Sequence, residues 1–166
     1  MILASHAIIG AALGRISPSP ILSLFLGLLS HYTADAIPHW EYNVPSLSGA
    51  NTLPHNKEKK KSRFTLDTSL AILDLILGIL LAFALFKNDI GESGRFLSIA
   101  AGIAGGVLPD GFQFLYLFFK REPLTTHQKF HDAIHAKKKL NNRPIFGIFL
   151  QAIIAAGSVI FSNLIL

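Results

Sequence analysis

The chain has 166 residues, of which 51% are hydrophobic and only 15% charged, and its formal net charge is +5. This length fits one domain, and so apolar a composition is typical of a membrane protein. Cysteine is absent, which excludes disulfide bonds and thiolate metal sites.

The apolar runs predict an all-α, polytopic membrane bundle of about five helices, so that residues 1–166 form a single integral membrane domain. The first run, Ile2–Ile16, would measure only about 22 Å as a helix and is therefore a short or re-entrant span. It lacks the basic leading segment and the cleavage site of a removable signal peptide. The four longer runs, at about 20 residues each, are Pro20–Ile37, Asp67–Phe86, Phe96–Phe119 and Ile145–Leu166.

The connecting segments are polar. Residues 41–65, rich in proline and lysine, predict a flexible cytoplasmic loop. An amphipathic cytoplasmic helix is expected around Thr126–Lys138. Pro109, close to Gly105 and Gly106, predicts a kink within the fourth helix, Phe96–Phe119. Four glycines in small-xxx-small patterns predict close helix packing; they are Gly10, Gly14, Gly102 and Gly106.

The distribution of basic residues predicts the orientation. The two long connections, after the second and fourth helices, carry twelve of the fifteen basic residues, and the other side carries Arg15, Lys87 and Arg95. Cytoplasmic loops carry the excess of Lys and Arg. We therefore expect a protein of the plasma (inner) membrane, with its N-terminus and both long loops in the cytoplasm. The basic residues are confined to loops, which favours lipid head groups as partners over nucleic acid.

Histidines and aspartates interrupt these apolar runs, which is costly in a membrane and usually marks a functional site. In the predicted topology all of them fall in one layer near the cytoplasmic side. His31, Asp35 and His39 follow each other at four-residue spacing, and so do His127, His131 and His135. This spacing brings neighbours onto one face of a helix. Imidazole and carboxylate are good ligands for zinc, the first expectation here, and for manganese, the second. The expected metal ligands are His6, His31, Asp35, His39, Asp110, His131 and His135.

Three residues are expected to act in catalysis: Asp74, Asp110 and His135. Asp110 follows Pro109, where a broken helix would let backbone groups face a cavity; the alternative is a helix-capping aspartate. Asp67 is better explained as the N-cap of the third helix. Asp74 lies deeper and is expected to be a ligand or to orient a histidine.

These residue types favour metal-dependent hydrolysis. The chain has no Gly-x-Ser-x-Gly element and no phosphate-binding Walker loop. A divalent ion lowers the pKa of bound water while a spare Asp or His serves as base. A phosphoester is the substrate that suits this best, since cations neutralise phosphoryl oxygens. Lys129 and the lysines at 137–139 could attract an anionic head group, or merely mark the cytoplasmic side.

The run from Ser30 to Trp40 contains His31, Asp35, Pro38 and His39. It resembles the His-x-x-x-Asp element of zinc-dependent phospholipases C and the related single-strand nucleases. With His6, the Pro109-Asp110 pair and His131, the chain also resembles the membrane-bound metal-dependent hydrolases, including the LexA-regulated inner-membrane proteins of bacteria. The resemblance implies an all-helical metal hydrolase acting on phosphoesters such as phospholipids or lipid phosphates.

The chain departs from both patterns. The soluble phospholipases have a second His-x-x-x-Glu element, where this chain has His131 and His135, and the His-Arg-Gly-x-x-His element of the membrane family is absent. Two other functions are open: a non-catalytic membrane protein that uses the cluster for metal binding or transport, and a metal-stabilised scaffold.

Overall fold

The structure is a computed structural model and describes residues 1–47, 57–91 and 93–166. This described part is all-helical, which confirms the all-α part of the expected fold class, and helices occur at the five predicted apolar runs and at the amphipathic segment. The helices are α1 (Leu3–Ile16), α2 (Pro20–Asp35), α3 (Lys57–Leu85), α4 (Ser93–Phe118), α5 (Leu124–Ile134) and α6 (Pro144–Ile165).

The sequence between α1 and α2 explains the sharp connection there. Ser19 adopts an extended backbone, and its hydroxyl accepts a hydrogen bond from the Leu22 N–H at 3.2 Å. Pro20 follows at the first helical position, where its missing N–H costs nothing and its fixed φ suits a helix. The two helices are therefore able to turn back on each other within three residues.

Helix α3 begins at Lys57, ten residues before the predicted start at Asp67. Lysine and glutamate are good helix formers, so the basic run continues the apolar helix instead of ending it. Asp67 is consequently an interior residue, and the prediction that it caps this helix was wrong. The predicted loop over 41–65 is shortened at its end, and its residues 48–56 lie outside the described residues.

The core of the fold is a close crossing of α1, α2 and α4. A Cβ atom built on Gly102 would lie 2.2 Å from the Gly10 carbonyl oxygen, and one built on Gly27 would lie 2.2 Å from the Gly102 oxygen. Only glycine allows backbones to approach this closely. The prediction that these glycines serve helix packing is confirmed. The three helices that carry His6, His31, Asp35 and Asp110 are thereby held in backbone contact.

We expect Gly102→Ala to lower the free energy of unfolding by about 1–3 kcal/mol, because the added methyl group must displace the α1 backbone. Gly157→Ala in α6 is the matched control, since a Cβ atom there meets no atom within 4 Å. The measurement is thermal unfolding of the purified protein in one detergent. Equal midpoints for the two variants would contradict the close packing.

The ends of the bundle opposite α5 are joined by Arg15. Its guanidinium pairs with Asp89 at 2.8 Å and contacts the hydroxyl of Ser162 at 3.3 Å and the amide oxygen of Asn163 at 2.6 Å. The end of α1 thus meets the end of α6, while the start of α1 lies beside Gln151, whose side chain accepts a bond from Ile2 N at 3.1 Å. The candidate functional side chains lie at this second, opposite end.

Two helices, α3 and α6, are long and apolar enough to cross a membrane. Both are largely exposed, and their outward faces are lined with leucine, isoleucine and phenylalanine side chains such as Leu73, Leu80 and Phe149. Helix α1 has only 14 residues and runs beside residues 151–163 of α6. Helix α4 is a continuous helix with Pro109 inside it.

Candidate metal centre

Five parts of the chain bring titratable side chains to one place. His6 comes from α1, His31 and Asp35 from α2, and Asp110 from α4. Helix α5 adds His131, and His135 follows directly at its end. The segment after α2 contributes His39 and Glu41. Asp35 lies at the centre of this group and is 2% exposed.

The first donor group consists of His31, Asp35, Asp110 and His131. The Nε2 atoms of both histidines lie 3.3 Å from Asp35 Oδ2 and 3.1 Å from each other. Asp110 Oδ1 lies farther out, 3.9 Å from His31 Nε2 and 4.0 Å from His131 Nε2. Four donors around one point with two carboxylates match the charge of a divalent cation.

These spacings suit a tetrahedral ion. Zinc binds imidazole nitrogen and carboxylate oxygen at about 2.0–2.2 Å. Donors at the corners of such a tetrahedron lie about 3.3 Å apart, as simple geometry with those bond lengths requires. The donors around Asp35 Oδ2 already have this separation, so the described side chains could hold an ion with little rearrangement.

The backbone of α4 sets the direction of the His31 ring. His31 Nδ1 lies 2.8 Å from the Gly106 carbonyl oxygen, to which it donates. This hydrogen bond assigns the proton to Nδ1 and leaves the lone pair of Nε2 directed at the donor group. Gly106 stands three residues before Pro109, so the glycine-proline stretch of α4 positions a carbonyl for the histidine as well as Asp110 for the ion.

The second donor group consists of Asp35, His39 and His135. His39 Nε2 lies 3.9 Å from Asp35 Oδ1, and His135 Nε2 lies 3.8 Å from Asp35 Oδ2. His39 donates from Nδ1 to the Ile37 carbonyl oxygen at 2.7 Å, which orients the ring so that Nε2 faces Asp35 and Glu41. Asp35 is therefore shared between the two donor groups.

Glu41 completes the second donor group. Its Oε1 lies 2.9 Å from His39 Nε2 and 2.8 Å from His135 Nε2, and its Oε2 pairs with Lys139. Burial favours the neutral acid, but the hydrogen bonds with His135, His39 and Lys139 outweigh it and hold the pKa of Glu41 far below its ordinary value. The hydrogen bond with Glu41 in turn raises the pKa of His135. Glu41 is therefore an ionised carboxylate suited to a cation.

His6 lies on the inner side of the same cluster. Its Nε2 is 3.1 Å from Asp35 Oδ1, and its ring stacks on His31 with centroids 4.1 Å apart. The amino group of Met1 also contacts Asp35 Oδ1. His6 Nδ1 is buried without a hydrogen-bond partner among the described residues. The structure thus brings all seven residues expected as metal ligands to one carboxylate or its direct neighbours.

Asp74 is not part of this cluster. Its Oδ2 accepts hydrogen bonds from the backbone N–H groups of Leu3 at 2.7 Å and Ala4 at 3.4 Å, and from the Tyr42 hydroxyl at 3.4 Å. The first N–H groups of a helix have no partner within it, so Asp74 caps α1 from a neighbouring helix. The structure shows Asp74 as a cap of α1, and its expected part in catalysis stays a prediction.

Asp67 and Asp74 together fix the segment that carries Glu41. Asp67 Oδ2 accepts hydrogen bonds from the backbone N–H of Ser46 at 3.0 Å and from its hydroxyl at 2.7 Å, and Tyr42 binds Asp74. Burial, and then the charge of Asp74, raise the pKa of Tyr42, so its hydroxyl stays protonated and donates. Two aspartates of α3, the buried Asp67 and the half-buried Asp74, thus hold residues 42–46 beside the donor groups.

Three polar side chains at the edge of the cluster were not expected from the sequence. Gln113 Nε2 lies 2.8 Å from His131 Nε2, and the Tyr32 hydroxyl lies 3.1 Å from His127 Nε2. Burial, aided by the neighbouring His131, lowers the pKa of His127, which favours its neutral form.

Glu41 is the third unexpected side chain, after Gln113 and Tyr32. The sequence did contain a signal for it, because residues two apart in extended backbone lie on one side, as His39 and Glu41 do.

Comparison with family models, with curated proteins and with solved structures finds no match for this chain. The chemistry of the donor groups is therefore the basis for any statement about function.

Proposed function

We propose that the protein is an integral membrane metal-dependent hydrolase that cleaves a phosphoester, such as a phospholipid or a lipid phosphate. The observation that carries the proposal is the sharing of Asp35 between two donor groups. Sites that hold two ions a few ångströms apart are common in enzymes of phosphoester cleavage, where the ions stabilise the attacking and leaving oxygens. Zinc suits the histidine-rich donor set best, and manganese is the second choice.

The ions would lower the pKa of a bound water and neutralise charge on the phosphoryl group. The side chains of the donor groups would hold the ions and orient the water and the phosphoryl group. Asp110 is the least buried member of the first donor group, with 28% of its side chain exposed. It lies at a longer distance than the other donors, which leaves room for a substrate oxygen or a water. We therefore assign to Asp110 the acceptance of a proton from water, with His135 as the second candidate.

The edge of the cluster offers a route for that proton. His127 is half-buried, its Nε2 lies 3.1 Å from the Tyr32 hydroxyl, and the Tyr32 ring contacts the rings of His31 and His131. A neutral imidazole in this position is able to take up and release protons near neutral pH. We assign to the Tyr32–His127 pair the exchange of protons between the cluster and solvent.

The membrane location agrees with the exposed apolar faces of α3 and α6. A plasma (inner) membrane protein with its N-terminus, α5 and donor groups on the cytoplasmic side follows from the distribution of basic residues. The resemblance to the membrane-bound metal-dependent hydrolases supports the same location and reaction.

Transport of a metal ion is the competing function. It requires a polar path from the donor groups to the opposite end of the bundle. The described helices α1 and α4 are in backbone contact along that direction, at Gly10 with Gly102 and at Gly14 with Ser98. Beyond these contacts the Arg15–Asp89 pair joins the helix ends. This close packing favours hydrolysis over transport.

The test is phosphoester cleavage by the purified protein in lipid nanodiscs. We expect zinc- or manganese-loaded protein to cleave at least one of two probes, phosphatidylglycerol or bis(p-nitrophenyl) phosphate. A chelator should reduce the rate at least 100-fold, and added metal should restore it, because the reaction depends on the ion. Asp110→Asn should lose a similar factor in kcat while still binding metal.

Asp132→Asn is the matched control, because Asp132 is an exposed neighbour of His131 whose carboxylate accepts a hydrogen bond from Gln128 at 2.9 Å. It should retain the full rate. If the protein bound stoichiometric metal but cleaved neither probe, it would be a metal-binding protein or a metal-stabilised scaffold and not a hydrolase. Uptake of zinc into sealed vesicles would instead favour transport.

A further inference from the structure

A basic surface lies at the start of α3, apart from the donor groups. Lys57, Lys60 and Lys61 stand at positions i, i+3 and i+4 and therefore share one face of the helix. Together with Ser46 and Phe64 they line a cavity of about 310 Å³. We name these five residues the basic pocket.

The charges of the basic pocket are available to a ligand. All three lysines are exposed, and within the described part of the chain no carboxylate forms an ion pair with them. The nearby Arg63 differs, since it pairs with Asp67 at 2.9 Å and donates to the Asn43 carbonyl oxygen at 2.9 Å. Three like charges on one helix face repel each other, and an anion between them relieves this repulsion.

The position of Phe64 indicates what kind of anion. Phe64 lies one turn below Lys60 and Lys61, about 6 Å along the helix axis. Its ring contacts Phe118 and Phe114 of α4, with centroids 6.0 and 6.5 Å apart. The exposed apolar surface of α3 begins two residues later, at Leu66. The basic pocket thus lies where charged side chains give way to an apolar, bilayer-length surface.

Such an order, with lysines above an aromatic ring and an apolar face below, matches the order of groups in an anionic phospholipid. The phosphate of the lipid lies at the membrane surface, where basic residues attract it, and the acyl chains lie beneath. We propose that the basic pocket binds the head group of an anionic phospholipid of the same leaflet, with Lys57, Lys60 and Lys61 around the phosphate and Phe64 beside the glycerol and upper acyl chain.

This site is separate from the proposed catalytic centre and does not depend on hydrolysis. Ser46 nevertheless links the two places, because its hydroxyl and backbone N–H are held by Asp67 and the segment before it carries Glu41. An anionic lipid in the basic pocket would hold the segment that completes the second donor group.

The experiment measures lipid binding to the intact protein by native mass spectrometry in detergent, with a chelator present so that no lipid is consumed. We expect one tightly bound phosphatidylglycerol per chain and much weaker binding of phosphatidylcholine. The triple variant Lys57→Gln, Lys60→Gln, Lys61→Gln should weaken phosphatidylglycerol binding about 100-fold, since each basic residue contributes roughly a factor of five near an anionic membrane surface.

The matched control is Lys120→Gln, Arg121→Gln, Arg143→Gln, which removes the same charge from exposed positions of the same end. It should weaken binding less than threefold. The single charge reversal Lys60→Glu should weaken binding at least tenfold and tests the pocket with one change. Equal loss in both triple variants would overturn the pocket, because it would show attraction by net charge alone.

Two further outcomes would also overturn the proposal. Displacement of the lipid by equimolar inorganic phosphate would show that the pocket takes free phosphate without the help of the lipid tail. Equal affinity for phosphatidylcholine would show that the lipid binds through its acyl chains. The metal content of the triple variant is measured in parallel samples without chelator, so failure of lipid binding is distinguishable from failure of the metal centre.

Discussion

Asp35→Asn is expected to abolish stoichiometric metal binding, with the metal content falling to less than a tenth of that of the unaltered protein. Asp35 contributes an oxygen to both donor groups, so one substitution removes a ligand from each. Loss of a residue that only orients a ligand already costs about 10–100-fold in affinity. The measurement is elemental analysis of the protein after equilibration with zinc and removal of free metal.

The size of the asparagine side chain keeps this test informative. Asparagine has nearly the shape of aspartate, so it preserves packing among His6, His31 and the other buried neighbours of Asp35. The control Asp132→Asn makes the same change at an exposed site and should retain full metal content. If Asp35→Asn held as much zinc as the control, the donor groups would not be the metal site.

We expect the unaltered protein to bind two ions and the double variant His39→Ala, Glu41→Gln to bind one. These residues belong to the second donor group, whereas the first keeps His31, Asp35, Asp110 and His131. Isothermal titration with zinc would resolve the two steps and show which disappears. The reciprocal variant, His131→Ala, should lose the ion of the first donor group.

The charge of Glu41 can be tested by a single substitution. Glu41→Gln keeps the shape and hydrogen-bonding capacity of the side chain but removes its charge, and we expect it to lower the affinity for the second ion at least tenfold. The control is Glu122→Gln. Glu122 is exposed and accepts a hydrogen bond from the Thr126 hydroxyl at 2.7 Å, so its substitution should change neither of the two zinc-binding steps. A single binding step in the unaltered protein would contradict the arrangement of two donor groups.

The sequence predicted the helices well because long apolar runs leave few alternatives. It also predicted which histidines and aspartates would share one layer, since each was costly in its apolar run and each lay near the same end of its helix. Whether two such side chains meet depends on rotation about each helix axis, and no local pattern in one helix determines its rotation relative to another.

The contacts that the sequence did not reveal have the same origin. Asp74 lies in an apolar run as the expected ligands do, but its carboxylate faces the start of α1, where unpaired N–H groups require an acceptor. Asp67 was interpreted as a cap because the helix was assumed to begin where the apolar run begins. Glu41 was passed over because it lies in the polar segment after Pro38, and its role depends on α5 folding back over that segment.

The unequal attachment of the two sides of the cluster has a consequence for the exchange of ions. His6, His31, Asp35 and Asp110 belong to three helices that touch backbone to backbone. His131 and His135 belong to α5 and its end, which contact α4 and α2. We therefore expect an ion held by the donor groups to leave on the α5 side, because His131 and His135 are carried by a short helix outside the close crossing of α1, α2 and α4.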